Sequence, residues 1–135
     1  MKALIIEDEK MAQANLARLL NKAFPEMEIV AMIDSVHGAV EFLSANPELD
    51  VIFMDVELSD GICFEIFRRV QVKAPVIMTT AYDSYAVKAF EAGSIDYLLK
   101  PIETDALLRA VGRARERRNP SASIEKLLTA LGQNT

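Results

Sequence analysis

Four apolar residues followed by a carboxylate, Val51-Ile52-Phe53-Met54-Asp55, outline the pattern on which the rest of the chain is built. A continuous apolar run of this length favours a strand buried on both faces, as in a parallel sheet. Comparable runs occur at residues 3–6, 29–32, 76–78 and 97–99. The sequence therefore predicts five buried strands, the third of which ends at an acidic residue.

Amphipathic patterns with the 3.6-residue period of an α-helix lie between and after these runs. The apolar positions of the five patterns are Ala12, Leu16, Leu19, Leu20 and Ala23; Val36, Ala39, Val40 and Leu43; Cys63, Ile66, Phe67 and Val70; Ala86, Ala89 and Phe90; Leu107, Ala110, Val111 and Ala114. Pro25, Pro47 and Pro75 are expected to end the first three helices. Gly93 suits the end of the fourth helix and Thr104 the start of the fifth. This strict alternation predicts a doubly wound α/β domain with right-handed crossovers.

Composition excludes several broad classes of protein. The chain has 135 residues, of which 51% are hydrophobic, and this is enough for one compact core. A net charge of −5 gives no general attraction to nucleic acid or to anionic membranes. The one cysteine cannot form an internal disulfide, and no Cys/His cluster suggests zinc. With no membrane span or signal peptide expected, we predict a cytoplasmic domain without membrane contact.

Polar side chains follow the predicted strands. Glu7 and Asp8 come after the first strand, Asp55 after the third, Thr80 after the fourth and Lys100 after the fifth. Because the carboxyl ends of parallel strands meet at one edge of a sheet, we expect these groups to lie close together. Clustered carboxylates repel one another unless a cation joins them, and Mg²⁺ prefers oxygen ligands. A carboxylate beside Mg²⁺ and a lysine can attack a phosphoryl group, so the pattern predicts phosphoryl transfer.

The residues at these strand ends resemble those of the receiver domain of two-component response regulators, over about residues 2–118. The resemblance rests on short motifs that occur in order: Glu7-Asp8, Ile52-Phe53-Met54-Asp55-Val56, Asp60-Gly61, Thr80-Ala81, Tyr97 and Lys100-Pro101. It implies a flavodoxin-like fold, with a five-stranded parallel sheet in the order 2-1-3-4-5 and five helices. The peptide bond between Lys100 and Pro101 is expected to be cis, as is usual in this family.

The resemblance implies that Asp55 is the phosphoacceptor and that the donor is a phosphohistidine on a sensor histidine kinase. Thr80 and Lys100 are expected to act with Asp55 in the transfer. A domain of this kind catalyses only its own phosphorylation and dephosphorylation, so we do not expect an enzyme that acts on a separate substrate.

The resemblance also implies Mg²⁺ as cofactor. Asp8 and Asp55 are expected to supply carboxylate oxygens to the ion, and Glu57 its backbone carbonyl. Glu7 is expected to act through water. Many members of the family have Asp at that position, and Glu is one methylene longer.

Thr80 and Tyr97 are the expected switch residues. Phosphorylation would turn Thr80 toward the phosphoryl group and let the Tyr97 ring swing inward, which remodels the face made by the fourth helix, fifth strand and fifth helix. The usual consequence in the family is a change in homodimerisation or in contact with an output domain. Tyr82, two residues after Thr80, is expected to shield the phosphoryl group and slow its loss.

Residues 79–91 and 96–101 are similar to the receivers of regulators that carry a LytTR-type DNA-binding domain. No such output domain is present in the 135 residues, so contact with DNA and control of transcription would need a missing part. We assign residues 1–118 to the receiver and residues 119–135 to a linker or extra amphipathic helix leading toward that part. A stand-alone receiver without DNA-binding output is the alternative.

Three other functions agree less well with the sequence. A haloacid-dehalogenase-type phosphohydrolase also uses an Asp at a strand end, and Asp55-Val56-Glu57 faintly resembles its motif, but its nucleophile follows the first strand. A nucleotide or flavin binder would need a glycine-rich phosphate loop, and the sequence has none. A receiver that no longer accepts phosphate is disfavoured because every motif position is present.

Overall fold

A computed structural model describes residues 1–118 as five helices around a central sheet, with one short 3₁₀ helix and one small hairpin. The helices are α1 Lys10–Ala23, α2 Val36–Ser44, α3 Phe64–Arg69, α4 Ala86–Glu91 and α5 Thr104–Arg118. The strands of the central sheet, numbered here without the hairpin, are β1 Lys2–Ile6, β2 Glu28–Ile33, β3 Val51–Asp55, β4 Val76–Thr80 and β5 Asp96–Leu99. The proposed linker, residues 119–135, lies outside the described residues.

The central sheet is parallel throughout, and its strands lie side by side in the order β2-β1-β3-β4-β5. This is the doubly wound, flavodoxin-like arrangement expected from the sequence. The order of the chain reverses between β1 and β3, which are neighbours at the centre of the sheet. The carboxyl ends of these two strands therefore flank the position where such folds bind ligands.

The sheet separates two apolar layers, and β3 contributes to both. Val51 and Phe53 pack in the layer covered by α1 and α5. Ile52 and Met54 pack in the layer covered by α2, α3 and α4. All four side chains are fully buried, as expected for a central parallel strand. The buried strand holds the backbone of Asp55 rigidly at its end.

The strands and helices at the edges are less buried than the sequence suggested. β2 and β5 are edge strands, so part of each apolar run faces solvent, as at Met32 and Leu99. Phe90, which the periodicity placed on a core-facing stripe, is 82% exposed. Helix α4 has only six residues, and Ala89 is its one buried position.

The connection from β3 to α3 contains an antiparallel hairpin that the sequence analysis did not predict. Glu57–Leu58 pairs with Gly61–Ile62, and α3 begins only at Phe64. Gly61 has φ +151°, a conformation that glycine adopts without strain. Helix α3 ends at Arg69, well before Pro75.

Other helix boundaries agree with the sequence. Helix α1 ends just before Pro25 and α2 before Pro47. Gly93 has φ +90° after α4, as a glycine that ends a helix does. Within residues 1–118, no helix is both long and apolar enough to cross a membrane.

Candidate functional site

The structure brings the polar residues from four strand ends together at one edge of the sheet. Glu7 and Asp8 follow β1, Asp55 ends β3, Thr80 ends β4 and Lys100 follows β5. The Lys100 ammonium group donates to Asp55 Oδ2 at 3.0 Å and also to Glu7 Oε1. A lysine from the last strand thus bridges carboxylates from the first and third.

Three of these residues form an acidic cluster. Glu7, Asp8 and Asp55 each have a carboxylate oxygen within 4.8 Å of the others. Glu7 and Asp55 are only 3% and 6% exposed. Burial, a hydrogen bond with Glu7 and the Glu7 charge together raise the pKa of Asp8. Buried, mutually repelling carboxylates are the donor set that a hard cation such as Mg²⁺ stabilises, so the residues fit this ion.

Glu7 is fixed by several bonds besides the one to Lys100. Its Oε2 accepts the backbone N–H of Glu9 at 3.1 Å, and its carbonyl accepts the Gln13 side chain at 2.6 Å. Its own N–H donates to the Ile33 carbonyl at 2.8 Å, which joins the β1–α1 connection to the end of β2. The sequence did not reveal the direct ion pair between Glu7 and Lys100.

Lys100 is held as a cation by its neighbours. Burial works against its charge, but the bonds to Glu7 and Asp55 outweigh that effect and raise the pKa of the ammonium group. The Lys100 backbone N–H donates to the Thr80 carbonyl at 2.8 Å, and the Lys100–Pro101 peptide bond is cis. The side chain therefore supplies a permanent positive charge beside Asp55.

Thr80 and Tyr97 both contact the backbone of Tyr82. The Thr80 side chain is almost fully buried, and its hydroxyl accepts the Tyr82 N–H at 3.2 Å. The Tyr97 hydroxyl donates to the Tyr82 carbonyl. The two expected switch residues are thus connected through one residue of the β4–α4 connection.

Glu57 and Tyr85 meet across the mouth of the site. The Tyr85 hydroxyl donates to Glu57 Oε1 at 3.1 Å, and this bond raises the pKa of the phenol. Tyr85 also contacts the Phe64 ring, with 6.4 Å between ring centroids. No spacing pattern in the sequence predicts the contact between Tyr85 and Glu57, because it joins two residues that are distant along the chain.

An open cleft of about 280 Å³ lies over the acidic cluster. Its lining residues are Asp8, Glu9, Asp55, Glu57, Thr80, Ala81, Tyr82 and Lys100. The cleft has room for a small anion between Asp55 and the solvent. Cys63 lies outside it, and burial, with a smaller effect of the Asp55 charge, raises the pKa of this thiol to about 12.

Comparison with known proteins identifies the class. Residues 3–112 match the sequence profile of the response regulator receiver domain. The response regulatory domain of protein mrkE from Klebsiella pneumoniae has a similar structure, with a TM-score of 0.73 and 32% identity, over 87% of this chain and 97% of that one. The chain therefore belongs to the response regulator receiver domain family.

Two relatives narrow the class further. The chain is 40% identical over 118 residues to the transcriptional regulatory protein LytR of Staphylococcus aureus, covering 85% of this chain and 47% of that protein. It is 31% identical over 129 residues to the sensory transduction protein LytT of Bacillus anthracis, covering 93% of this chain and 52% of that protein. The chain is thus homologous to LytT- and LytR-type regulators, and it spans about half the length of the curated relatives it matches.

Proposed function

We propose that this domain accepts a phosphoryl group on Asp55 from a phosphohistidine of a sensor histidine kinase in the cytoplasm. The observation that supports this most is the position of the Asp55 carboxylate. It lies at the rigid end of the central strand, 3.0 Å from the Lys100 ammonium group and beside Glu7 and Asp8. A carboxylate held in this way is a nucleophile whose transition state is stabilised by fixed positive charge.

In the proposed reaction, an Asp55 carboxylate oxygen forms a bond to phosphorus while the bond between phosphorus and the kinase histidine nitrogen breaks. The electron pair of the broken bond returns to the imidazole. Lys100 shifts from neutralising Asp55 to pairing with a phosphoryl oxygen. Asp8, Asp55 and the Glu57 carbonyl would hold Mg²⁺, with Glu7 acting through water. When bound, the ion supplies additional positive charge for the phosphoryl oxygens.

We further propose that Thr80 and Tyr97 report phosphorylation to the face formed by α4, β5 and α5. A phosphoryl group adds negative charge and acceptor oxygens, which favours rotation of the Thr80 hydroxyl toward it. Thr80 and Tyr97 share the Tyr82 backbone as a partner, so this rotation would change what Tyr97 contacts. In a full-length regulator that face would control homodimerisation or a LytTR-type DNA-binding domain beyond residues 119–135. A stand-alone receiver remains the alternative.

The experiment is intact-mass measurement after incubation with acetyl phosphate and Mg²⁺. The parent protein should gain one phosphoryl group, and Asp55→Asn should gain none. Asp83→Asn is the matched control, because it makes the same chemical change at an exposed residue outside the cleft and should be phosphorylated normally. Continuous turnover of para-nitrophenyl phosphate, or phosphorylation of the Asp55→Asn variant, would contradict the proposal.

A further inference from the structure

The hairpin that follows β3 is attached to helix α2 by one carboxylate. Asp60 lies at the hairpin turn; its Oδ1 accepts the Val36 N–H at 2.6 Å, and its Oδ2 accepts the His37 N–H at 3.0 Å. These two bonds lower the pKa of Asp60, the bond from His37 having the larger effect on the pKa. Asp60 therefore stays charged at neutral pH and spans 24 positions of sequence to reach the first turn of α2.

A second hydrogen bond holds the same turn, and its acceptor lies one residue before Ser35, the N-cap residue of α2. The Ser59 hydroxyl donates to the Asp34 carbonyl at 3.1 Å. On the other side of this segment, the Ile33 carbonyl accepts the Glu7 N–H at 2.8 Å. Residues 33–37 thus hold both the connection that carries the acidic pair and the hairpin that carries Glu57.

We propose that Asp60 is a positioning residue for the metal site: it fixes the hairpin so that the Glu57 carbonyl lies at a constant distance from Glu7 and Asp8. This inference rests on the proposed function, in which that carbonyl binds Mg²⁺. Mg²⁺ demands near-ideal ligand geometry, so a hairpin free to move would bind it less tightly. Partners that orient metal ligands typically change metal affinity 10–100-fold when removed.

The simpler interpretation is that Asp60 only caps α2, and the chain supplies a control for it. Ser35 caps the same helix, since its hydroxyl oxygen accepts the Gly38 N–H at 3.0 Å. Loss of either cap destabilises the α2 N-terminus. Of these two caps, only Asp60 belongs to the hairpin after β3, so only its loss removes a bond that holds that hairpin.

The experiment compares Asp60→Ala with Ser35→Ala in Mg²⁺ titrations of the unphosphorylated protein, followed by amide chemical shifts. Urea denaturation gives the stability of each variant in parallel. We expect the Asp60 variant to lose roughly tenfold in Mg²⁺ affinity, and the Ser35 variant to lose less than twofold at a comparable urea midpoint. Ser59→Ala, at an exposed side chain, should show a smaller loss in the same direction, and it provides the test if the Asp60 variant does not fold.

The outcomes separate the two proposals. Equal Mg²⁺ affinities for the Asp60 and Ser35 variants would show that Asp60 is only a helix cap and overturn the inference. So would an unchanged affinity in the Ser59 variant if the Asp60 variant cannot be folded. A parent protein that binds no Mg²⁺ and gains no phosphoryl group would overturn the proposed function as well.

Discussion

At the scale of one residue, the charged Asp8 carboxylate lowers the stability of the folded state. Its pKa is raised, first by burial and then by the hydrogen bond and charge of Glu7, so the folded state binds a proton at Asp8 more tightly than the unfolded state does. Protonation of Asp8 therefore stabilises the folded state. This contribution grows as the pH falls through the raised pKa of the folded state, and it is complete below the ordinary pKa of the unfolded chain. At neutral pH without metal, its charge is destabilising.

Asp8→Asn should therefore stabilise the metal-free protein at pH 7. We expect the midpoint of thermal unfolding in EDTA to rise by a few degrees, because the variant no longer carries a desolvated charge that also repels Glu7. The further rise that Mg²⁺ gives the parent should be largely lost. Calorimetric scans with EDTA and with Mg²⁺ measure both effects.

Glu9→Gln is the control for Asp8, since Glu9 is an exposed neighbouring acid that is not in the acidic cluster. It should change neither midpoint appreciably. A lower midpoint for the Asp8 variant in EDTA would mean that the Asp8 carboxylate stabilises the metal-free fold, contrary to its raised pKa.

The residues of the candidate site could be predicted where the course of the backbone alone brings them together. Asp8, Asp55 and Lys100 follow different strands, and a parallel sheet places all such positions at one edge. The Tyr85–Glu57 hydrogen bond and the Glu7–Lys100 ion pair depend on how far side chains extend between connections. No spacing in a sequence encodes that reach.

At the scale of elements, packing secures the β4–α4 segment only weakly. Helix α4 has six residues and one buried side chain, and the preceding 3₁₀ turn, Asp83–Tyr85, has none. Side-chain bonds therefore carry much of the attachment, with Tyr97 bonded to the Tyr82 carbonyl and Tyr85 to Glu57. Segments with few buried contacts open at low free energy.

Tyr97→Phe should loosen this segment while leaving the rest of the domain intact. The ring can still pack, but the hydroxyl bond is lost, at about 1 kcal/mol of local stability. Hydrogen exchange should accelerate roughly fivefold at the amides of α4 and remain unchanged in β1 and β3. The measurement is native-state exchange followed by NMR.

Tyr85→Phe, which also removes one hydroxyl, provides the comparison for Tyr97. Its lost partner lies on the hairpin, so the β3–α3 connection should exchange faster as well. If α4 exchanges at the parent rate in the Tyr97 variant, the bond to Tyr82 does not hold the segment.

Strands and helices were predictable where their apolar side chains are fully buried. The core strand β3 and the stripe of α5 formed by Leu107, Ala110, Val111 and Ala114 are fully buried as the patterns indicated. The small hairpin was not predictable, because its strands have two residues each and are too short to show an alternating apolar pattern. The exposure of Phe90 depends on strand order and on the length of α4, neither of which its local pattern contains.

At the scale of the whole molecule, α4, β5 and α5 each carry exposed large apolar side chains. Val87 and Phe90 are 70% and 82% exposed, and Leu99 and Leu108 are also partly open to solvent. Exposed apolar side chains on neighbouring elements are candidates for an interaction surface. This agrees with the proposal that phosphorylation controls self-association through that face.

Phe90→Asp should weaken self-association of the phosphorylated domain roughly tenfold, because a charge replaces an exposed apolar side chain of the proposed contact face. Phosphorylation by acetyl phosphate should proceed at the parent rate, since Phe90 does not line the cleft. Analytical ultracentrifugation with and without acetyl phosphate measures the association.

Met11→Asp is the control on a different element, because Met11 is 86% exposed on α1. It should leave association unchanged. A phosphorylated parent that stays monomeric, or an equal loss of association in both variants, would exclude this face as the homodimer contact.

The single cysteine of the chain can be used to measure local opening of the fold. Cys63 is fully buried, and its raised pKa of about 12 keeps the sulfur protonated. A thiol reagent can therefore label the native chain only during excursions that expose this sulfur to water. The labelling rate therefore measures how often this part of the core opens, and the measurement needs no engineered cysteine because Cys63 is the one cysteine of the sequence.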